Sequence, residues 1–384
     1  MKIGIEGQRL FRSKKHGMDI VALELIRNLQ EIDQINNYFI FIKEDSDVCL
    51  HESSNFKIIL LNDAPYPVWE QFYLPKAAEK AGCDLLHCTS NTAPIHTSIP
   101  LVITVHDIIY MEKLSLFRKG FSSYQKFGNL YRRWNVPLVV KKSKRVITVS
   151  EFEKKRIASF FHLDDEKLEA IYNGVSQHFK KVTDSTHLRQ IKEKYKLPDK
   201  FFFFFGNTDP KKNTKGVLKA LSLLLNSYHE QIPLVMLDYD RNELDKLIQE
   251  IGDPKLNANI ILTGYVPNKE LPAIYALSTV FLYPSLRESF GIPMLEAMAC
   301  GVPVITSNTS SMPEVGGDAA LFIDPFKPEE ITDAMLKILQ NSQLRDELII
   351  RGYSNAAKYS WENMAKNVLH LYQSVYQKRN PGKT

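Results

Sequence analysis

Two glutamates, Glu288 and Glu296, and two lysines, Lys211 and Lys212, sit where a chain of this pattern would do chemistry. The glutamates fall in the stretch from Tyr283 to Gly317, YPSLRESFGIPMLEAMACGVPVITSNTSSMPEVGG. An apolar run, Val280 to Tyr283, stops at Pro284, and a polar turn carries Arg287, Glu288 and Ser289. Gly291 and Pro293 introduce a short periodic segment, Met294 to Cys300, and after Gly301 a second apolar run begins at Val302. Strand, loop, helix and strand in this order make one βαβ unit. Open parallel sheets bind ligands beyond the carboxyl ends of their strands, which is where this loop lies. Lys211, Lys212 and Asn213 occupy a similar place, between the strand Phe201 to Phe205 and the helix Val217 to Asn226. A cation and backbone N–H groups there suit a phosphate, and a solvated basic loop is the alternative. His106 and Asp107 end a third apolar run, Leu101 to Val105.

The elements that position these groups alternate along the chain. Lys2 to Glu6 reads as a buried strand, followed by the loop GQRLFRSKKHGM, basic through Arg9, Arg12, Lys14 and Lys15 and carrying Gly17. Ile20, Leu23, Ile26 and Leu29 then recur at helical spacing. The dinucleotide fingerprint GxGxxG is absent, so that site is not expected. Further strands are expected at Tyr38 to Ile42, Phe56 to Leu60, Asp84 to Cys88 and Arg145 to Val149, with a helix over Trp69 to Ala81 weakened by Pro75. Ser150 and Glu153 form a capping-box pattern. A second alternation starts at Phe201. This is an α/β chain, and 384 residues favour two domains. The expected division is 1–178, a linker 179–199, a second domain 200–360, and a last helix, 361–384, tying the two together.

Phe121, Tyr124, Phe127, Tyr131, Trp134 and Leu138 form an aromatic stripe at helical spacing, among cations that include Arg118, Lys119, Arg132 and Arg133. Core packing with a solvated basic face is one reading, and attachment to an anionic membrane surface or a lipid phosphate is the other. No nucleic-acid module surrounds the stripe, so nucleic acid is not an expected partner. The net charge of +5 is ordinary for a soluble protein. Cys49, Cys83, Cys88 and Cys300 make no close CxxC pair, which argues against a zinc site or a disulfide framework. A reducing cytoplasm fits. The start MKIGIEG lacks a secretory core, and no apolar run reaches the roughly 20 residues that span a bilayer.

Taken together, VHD at 105–107, VSEFEKK at 149–155, YNGV at 172–175, GNTDPKKN at 206–213 and ESFGIPMLEAMACGVPVITSN resemble the retaining family-4 glycosyltransferases, in order and over most of the chain. The resemblance implies the GT-B fold, two Rossmann-like domains facing each other across a cleft. It implies that Glu296 accepts hydrogen bonds from the ribose of a nucleotide sugar and that Glu288 binds the donor sugar. It implies that Lys212 holds the diphosphate and that His106 approaches the sugar from the first domain. His106, Lys212 and Glu288 are thus the expected catalytic residues. Gly17, Asn207, Lys211, Arg287, Phe290, Gly291 and Ile292 join Lys212, Glu288 and Glu296 around the donor. Arg12, Lys14, Lys15, Arg132, Arg133 and Trp134 fall on the acceptor or membrane side. The family commonly has arginine where this chain has Asn207, so one of two cations at the diphosphate is missing.

The implied donor is GDP-mannose, ahead of UDP- or dTDP-linked hexoses, and the acceptor a growing polysaccharide or a lipid-linked oligosaccharide. No cofactor and no essential metal are expected. The chain would work in the cytoplasm, peripherally at the inner face of the membrane. A glycan phosphorylase or sugar-phosphate glycosyltransferase of the same fold stays open, as does a non-catalytic glycan-binding protein, which Asn207 favours.

Overall fold

A computed structural model describes residues 1–111 and 123–379. The chain forms two units: Met1–Gly174 with Trp361–Thr384, and Val175–Ser360. The first contains β1 (Lys2–Glu6), α1 (Gly17–Ile32), β2 (Asn37–Ile42), β3 (Phe56–Leu60), α2 (Tyr66–Val68), α3 (Leu74–Ala81), β4 (Leu85–Cys88), β5 (Leu101–Thr104), α4 (Ser123–Lys142), β6 (Arg145–Thr148), α5 (Glu151–Phe161) and β7 (Leu168–Ala170). The second contains α6 (Ser185–Lys194), β8 (Phe202–Phe204), α7 (Thr214–Ser227), β9 (Leu234–Met236), α8 (Arg241–Ile251), β10 (Ile260–Leu262), α9 (Leu271–Leu277), β11 (Val280–Tyr283), α10 (Ile292–Ala299), β12 (Val304–Ser307), α11 (Met312–Gly316), β13 (Ala320–Ile323), α12 (Pro328–Gln340) and α13 (Ser342–Ala356). The chain then returns to the first unit as α14 (Trp361–Arg379).

Each unit is built on a parallel sheet, ordered β3-β2-β1-β4-β5-β6-β7 in the first and β10-β9-β8-β11-β12-β13 in the second. The strands are apolar on both faces because helices cover both; Phe202, Phe203 and Phe204 are all buried. Val217, Leu218, Leu221 and Leu224 of α7 pack in the same core as Phe202 and Leu282. The order reverses between β1 and β4 in one sheet and between β8 and β11 in the other. At such switch points adjacent loops part to opposite faces and leave a crevice at the strands' carboxyl ends.

Residues 179–199, expected as a linker, group with the second unit. Their helix α6 buries only Ile191, but Lys194 and Tyr195 donate to Glu270 beside α9, at 2.7 and 2.6 Å. The terminal helix α14 groups with the first unit, where the Tyr372 hydroxyl lies 2.6 Å from His87 Nδ1 on β4. The other ring nitrogen of His87 lies 2.8 Å from Thr104 Oγ1, and burial holds this imidazole neutral, its pKa pushed down to about 3. Pro75 does not break its helix: residues 66–81 run through it as one continuous helical stretch. The irregularity is instead a π-helical turn, Trp69–Tyr73, between α2 and α3. Helix α8 was not expected from the sequence, having only Leu244 and Ile248 buried; Asp240 caps it by accepting from Glu243 N at 3.0 Å. Among the described residues no helix is long and apolar enough to cross a membrane.

Candidate active site

The switch point of the second sheet brings Lys212 and Glu288 together. Lys212 follows β8 and Glu288 follows β11, its neighbour. Lys212 Nζ donates to Glu288 Oε1 at 2.5 Å, and the ammonium stands 5.4 Å from the centre of the Tyr283 ring. Their side chains are 24% and 12% exposed, so the pair faces solvent on one side only. Both loops are held by backbone contacts. Leu286 N donates to Lys211 O at 2.7 Å, which fastens one loop to the other. Asn213, at φ 61°, donates to Pro284 O at 3.0 Å and to Pro325 O at 2.7 Å. Glu288 N donates to Ser310 Oγ at 3.1 Å, while Ser311, fully buried, donates to Glu288 O and Phe290 O.

Gly291 precedes α10 at φ 104°, a conformation that side chains rarely adopt, and an added Cβ would lie 2.5 Å from Met312 Cε. Ile292 then begins α10, and Glu296 lies one turn inside it. The Tyr275 hydroxyl donates at 3.3 Å to Glu296 Oε2, and burial among Tyr275, Tyr283 and Cys300 pushes the carboxyl up to about 8. Tyr275 was missed in the sequence because a tyrosine in an apolar helix carries no signal of its partner. Phe203, Phe205, Tyr275 and Phe281 form a ring cluster beneath these groups, with centroids 5.1 to 5.8 Å apart. Asn207 Oδ1 accepts from Asp209 N at 2.7 Å, so this side chain folds its own loop, with its amide N–H groups left to offer a ligand. Lys211 lies 3.8 Å from Asp209.

The remaining expected residues belong to the first unit. His106 follows β5, is buried, and its Nε2 lies 2.9 Å from Thr89 O. A carbonyl only accepts, so Nε2 carries the proton and Nδ1 is the acceptor. Burial lowers the pKa of His106, which makes it a neutral hydrogen-bond acceptor rather than a cation. Gly17 opens α1, and a Cβ added there would meet nothing within 4 Å. Lys15, expected on the acceptor or membrane side, is tucked in: it pairs with Asp47 and donates to Arg12 O at 3.0 Å. Arg133 donates from Nε to Tyr110 O at 2.7 Å, anchoring the turn after β5. Lys14 is exposed, and Arg12 and Arg132 line a cavity of this unit.

The core-packing reading of the aromatic stripe is corrected. Arg118, Lys119 and Phe121 lie outside the described residues. Phe127, Trp134 and Leu138 are 59%, 55% and 44% exposed, joined by Leu130 at 60%. The face of α4 that packs is instead Val136, Val139 and Val140, all at 0%. Periodicity identifies a face but does not say which way it turns. Among the described residues no group of three or more His, Cys, Asp or Glu is placed to hold a metal ion.

Residues 187–355 match the family model described as glycosyl transferases group 1, and residues 15–178 match that of glycosyltransferase family 4. The O-antigen chain mannosyltransferase B of Escherichia coli is 34% identical over 232 residues, 60% of this chain. That match spans 61% of the relative's own length. The O-antigen chain mannosyltransferase RfbU of Salmonella typhimurium is 30% identical over 320 residues, covering 82% of this chain and 81% of that one. Among solved structures, HepE of Anabaena in complex with UDP and glucose superposes with a TM-score of 0.72 at 17% identity, covering 97% of this chain and 100% of that one. The two parallel switch-point sheets, the two family models and the relative matched along most of both chains agree: the chain belongs to the glycosyl transferases group 1, in the GT-B fold.

Proposed function

We propose that this chain transfers a hexose from a nucleotide sugar, mannose from GDP-mannose, to a glycan or lipid-linked glycan acceptor presented at the inner face of a membrane, with retention of configuration. The observation that carries the reading is the Lys212–Glu288 pair at the second sheet's switch point, with buried Glu296 on the helix that follows. The names of the two O-antigen chain mannosyltransferases support mannose as the sugar and cell-surface polysaccharide as the product.

The bond from the anomeric carbon to the diphosphate oxygen breaks, and the acceptor oxygen bonds to that carbon on the same face. The acceptor proton passes to the departing phosphate oxygen. Negative charge grows on the diphosphate, where Lys212, Arg287, the Asn207 amide and the N–H groups opening α10 can meet it. Glu288 orients Lys212 before the donor arrives and then binds sugar hydroxyls, beside Phe290, Gly291 and Ile292. His106, neutral, accepts from a sugar hydroxyl through Nδ1. Glu288 and Glu296 are binding groups, unlike the acid and base of a glycosidase.

Glu296 gives this reading a pH dependence. Ribose hydroxyls donate to the ionised carboxylate, and burial keeps the empty site protonated below about 8. Nucleotide binding should therefore tighten as the pH rises, by roughly tenfold between pH 7 and pH 9. Calorimetry with GDP across that range checks it, and Glu296→Gln should flatten the profile. The same burial makes the protonated form contribute to stability below its ordinary value of 4.5, a contribution lost as the pH rises through about 8.

The reading itself is tested by calorimetry of the full chain with GDP-mannose, UDP-glucose and dTDP-glucose. GDP-mannose should bind in the micromolar to millimolar range and, with acceptor, give an α-linked product by proton NMR. A folded chain that binds none of the three donors would overturn the assignment.

A further inference from the structure

Strands β11 and β12 pair as far as Tyr283 and Thr306. Beyond that point the two loops stay in step through side chains. Thr306 Oγ1 donates to Tyr283 O at 2.9 Å, Ser307 Oγ to Ser285 O at 2.5 Å and Thr309 Oγ1 to Leu286 O at 3.4 Å. Ser311 Oγ lies 3.1 Å from Glu288 O and 3.2 Å from Phe290 O. A hydroxyl that donates to a carbonyl takes the place of a ladder N–H, so the loop after β12 extends the sheet contact along the loop that carries Glu288. Thr306, Ser307 and Ser311 are fully buried, which shields these bonds from water.

Ser310 differs from the other four in two respects. Its Oγ accepts, from Glu288 N at 3.1 Å, and gives its own proton to Thr309 O at 2.8 Å. Its backbone stands at φ 54°, in the left-handed region. A Cβ is penalised there, and glycine takes the conformation freely. Backbone preference therefore favours glycine at 310, and what the serine adds is its hydroxyl. Ser310 and Ser311 together hold both main-chain polar groups of Glu288, the N–H and the C=O. That fixes the backbone on either side of the Glu288 Cα, and with it the direction in which the carboxylate reaches Lys212 Nζ.

We infer that Ser310 is a positioning residue for sugar recognition: its hydroxyl sets the main chain of Glu288 and so holds the carboxylate where the donor's hexose binds. The inference rests on the proposed role of Glu288 at the sugar. Strained backbone is found at sites where surrounding contacts hold it, and a misplacement of about 1 Å in a positioning group costs on the order of a hundredfold in rate. The effect is specific to one end of the donor. Glu296, at the ribose, stands on α10 with the Tyr275 hydroxyl as its partner, away from the Ser310 bond. Loss of the Ser310 hydroxyl should be felt by the hexose and not by the nucleotide.

The test is calorimetry of the full chain with GDP and with GDP-mannose, on the wild type, Ser310→Gly and Ser310→Ala, with urea denaturation of each. Both variants should bind GDP-mannose about tenfold more weakly and GDP within about twofold of the wild type, the GDP result also reporting that they fold. Ser310→Gly should be at least as stable as Ser310→Ala, because only glycine relieves the left-handed backbone. In a Glu288→Ala chain, which has no carboxylate to aim, adding Ser310→Gly should change GDP-mannose affinity by less than about twofold. Unchanged GDP-mannose binding in both variants would overturn the inference. So would an equal loss of GDP and GDP-mannose, since the hydroxyl would then support the loop as a whole, or a tenfold loss that persists without the Glu288 carboxylate. A wild-type chain that binds no nucleotide sugar would instead remove the reading on which the inference rests.

Discussion

Lys212→Ala is expected to lower the rate of sugar transfer by about two to three orders of magnitude, the cost of removing one preorganised charge from a developing oxyanion. The ammonium is already in place, fixed by Glu288 at 2.5 Å and backed by the Tyr283 ring, so little reorganisation is needed when the diphosphate departs. Because the charge it meets grows in the transition state, kcat should fall much further than donor affinity. Lys212→Arg keeps the charge but changes its reach and fork geometry, and an intermediate rate is expected. Lys212 and Glu288 touch, so their effects should not add: Lys212→Ala with Glu288→Ala should be much less damaging than the product of the two single changes. Single-turnover transfer with saturating GDP-mannose measures all four proteins. Near-wild-type turnover of Lys212→Ala would remove this residue from the mechanism.

Phe203→Ala should destabilise the second unit by about 3–5 kcal/mol, the range for deleting a buried phenyl ring. Phe203 is 0% exposed on β8, and its centroid lies 5.2 Å from those of Phe205 and Tyr275 and 5.6 Å from that of Phe281. The void would open directly beneath Tyr275, the residue that donates to Glu296. A loss of nucleotide affinity should therefore accompany the loss of stability, although Phe203 does not contact Glu296 through any hydrogen bond. Urea denaturation followed by tyrosine fluorescence, alongside GDP calorimetry under native conditions, separates the two effects. Phe203→Leu should recover most of both, because it restores volume without restoring the ring. Full stability in Phe203→Ala would mean that the cluster is not the packed support described.

Lys212 and Glu288 were legible in the sequence because each follows an apolar run and a turn, and parallel sheets place such loops at one edge. Their pairing was not legible. It depends on β8 and β11 being neighbours although β9 and β10 lie between them in sequence, which is a fact of strand order. Glu296 could be placed on a helix, but its raised pKa comes from burial, beside Tyr275 on α9 and Tyr283 on β11. Residues 179–199 looked like a linker because α6 is polar; its attachment is made by hydrogen bonds to Glu270, which hydropathy cannot register. Glu70 carried no signal at all. Its burial becomes tolerable only when hydroxyls from Tyr66, Thr92 and Tyr131 converge from three places in the chain.

The return of α14 to the first unit orders the events of synthesis. His87 and Tyr372, which meet in that unit, are 285 positions apart in sequence, and the whole of the second unit is translated between them. The second unit can therefore leave the ribosome and fold while the first still lacks one of its layers. Until α14 emerges, His87 on β4 has no Tyr372 hydroxyl, and the side of the sheet that α14 covers stands open to water or to a chaperone. A chain cut short within α14 would carry the whole of the second unit and a first unit without its last helix.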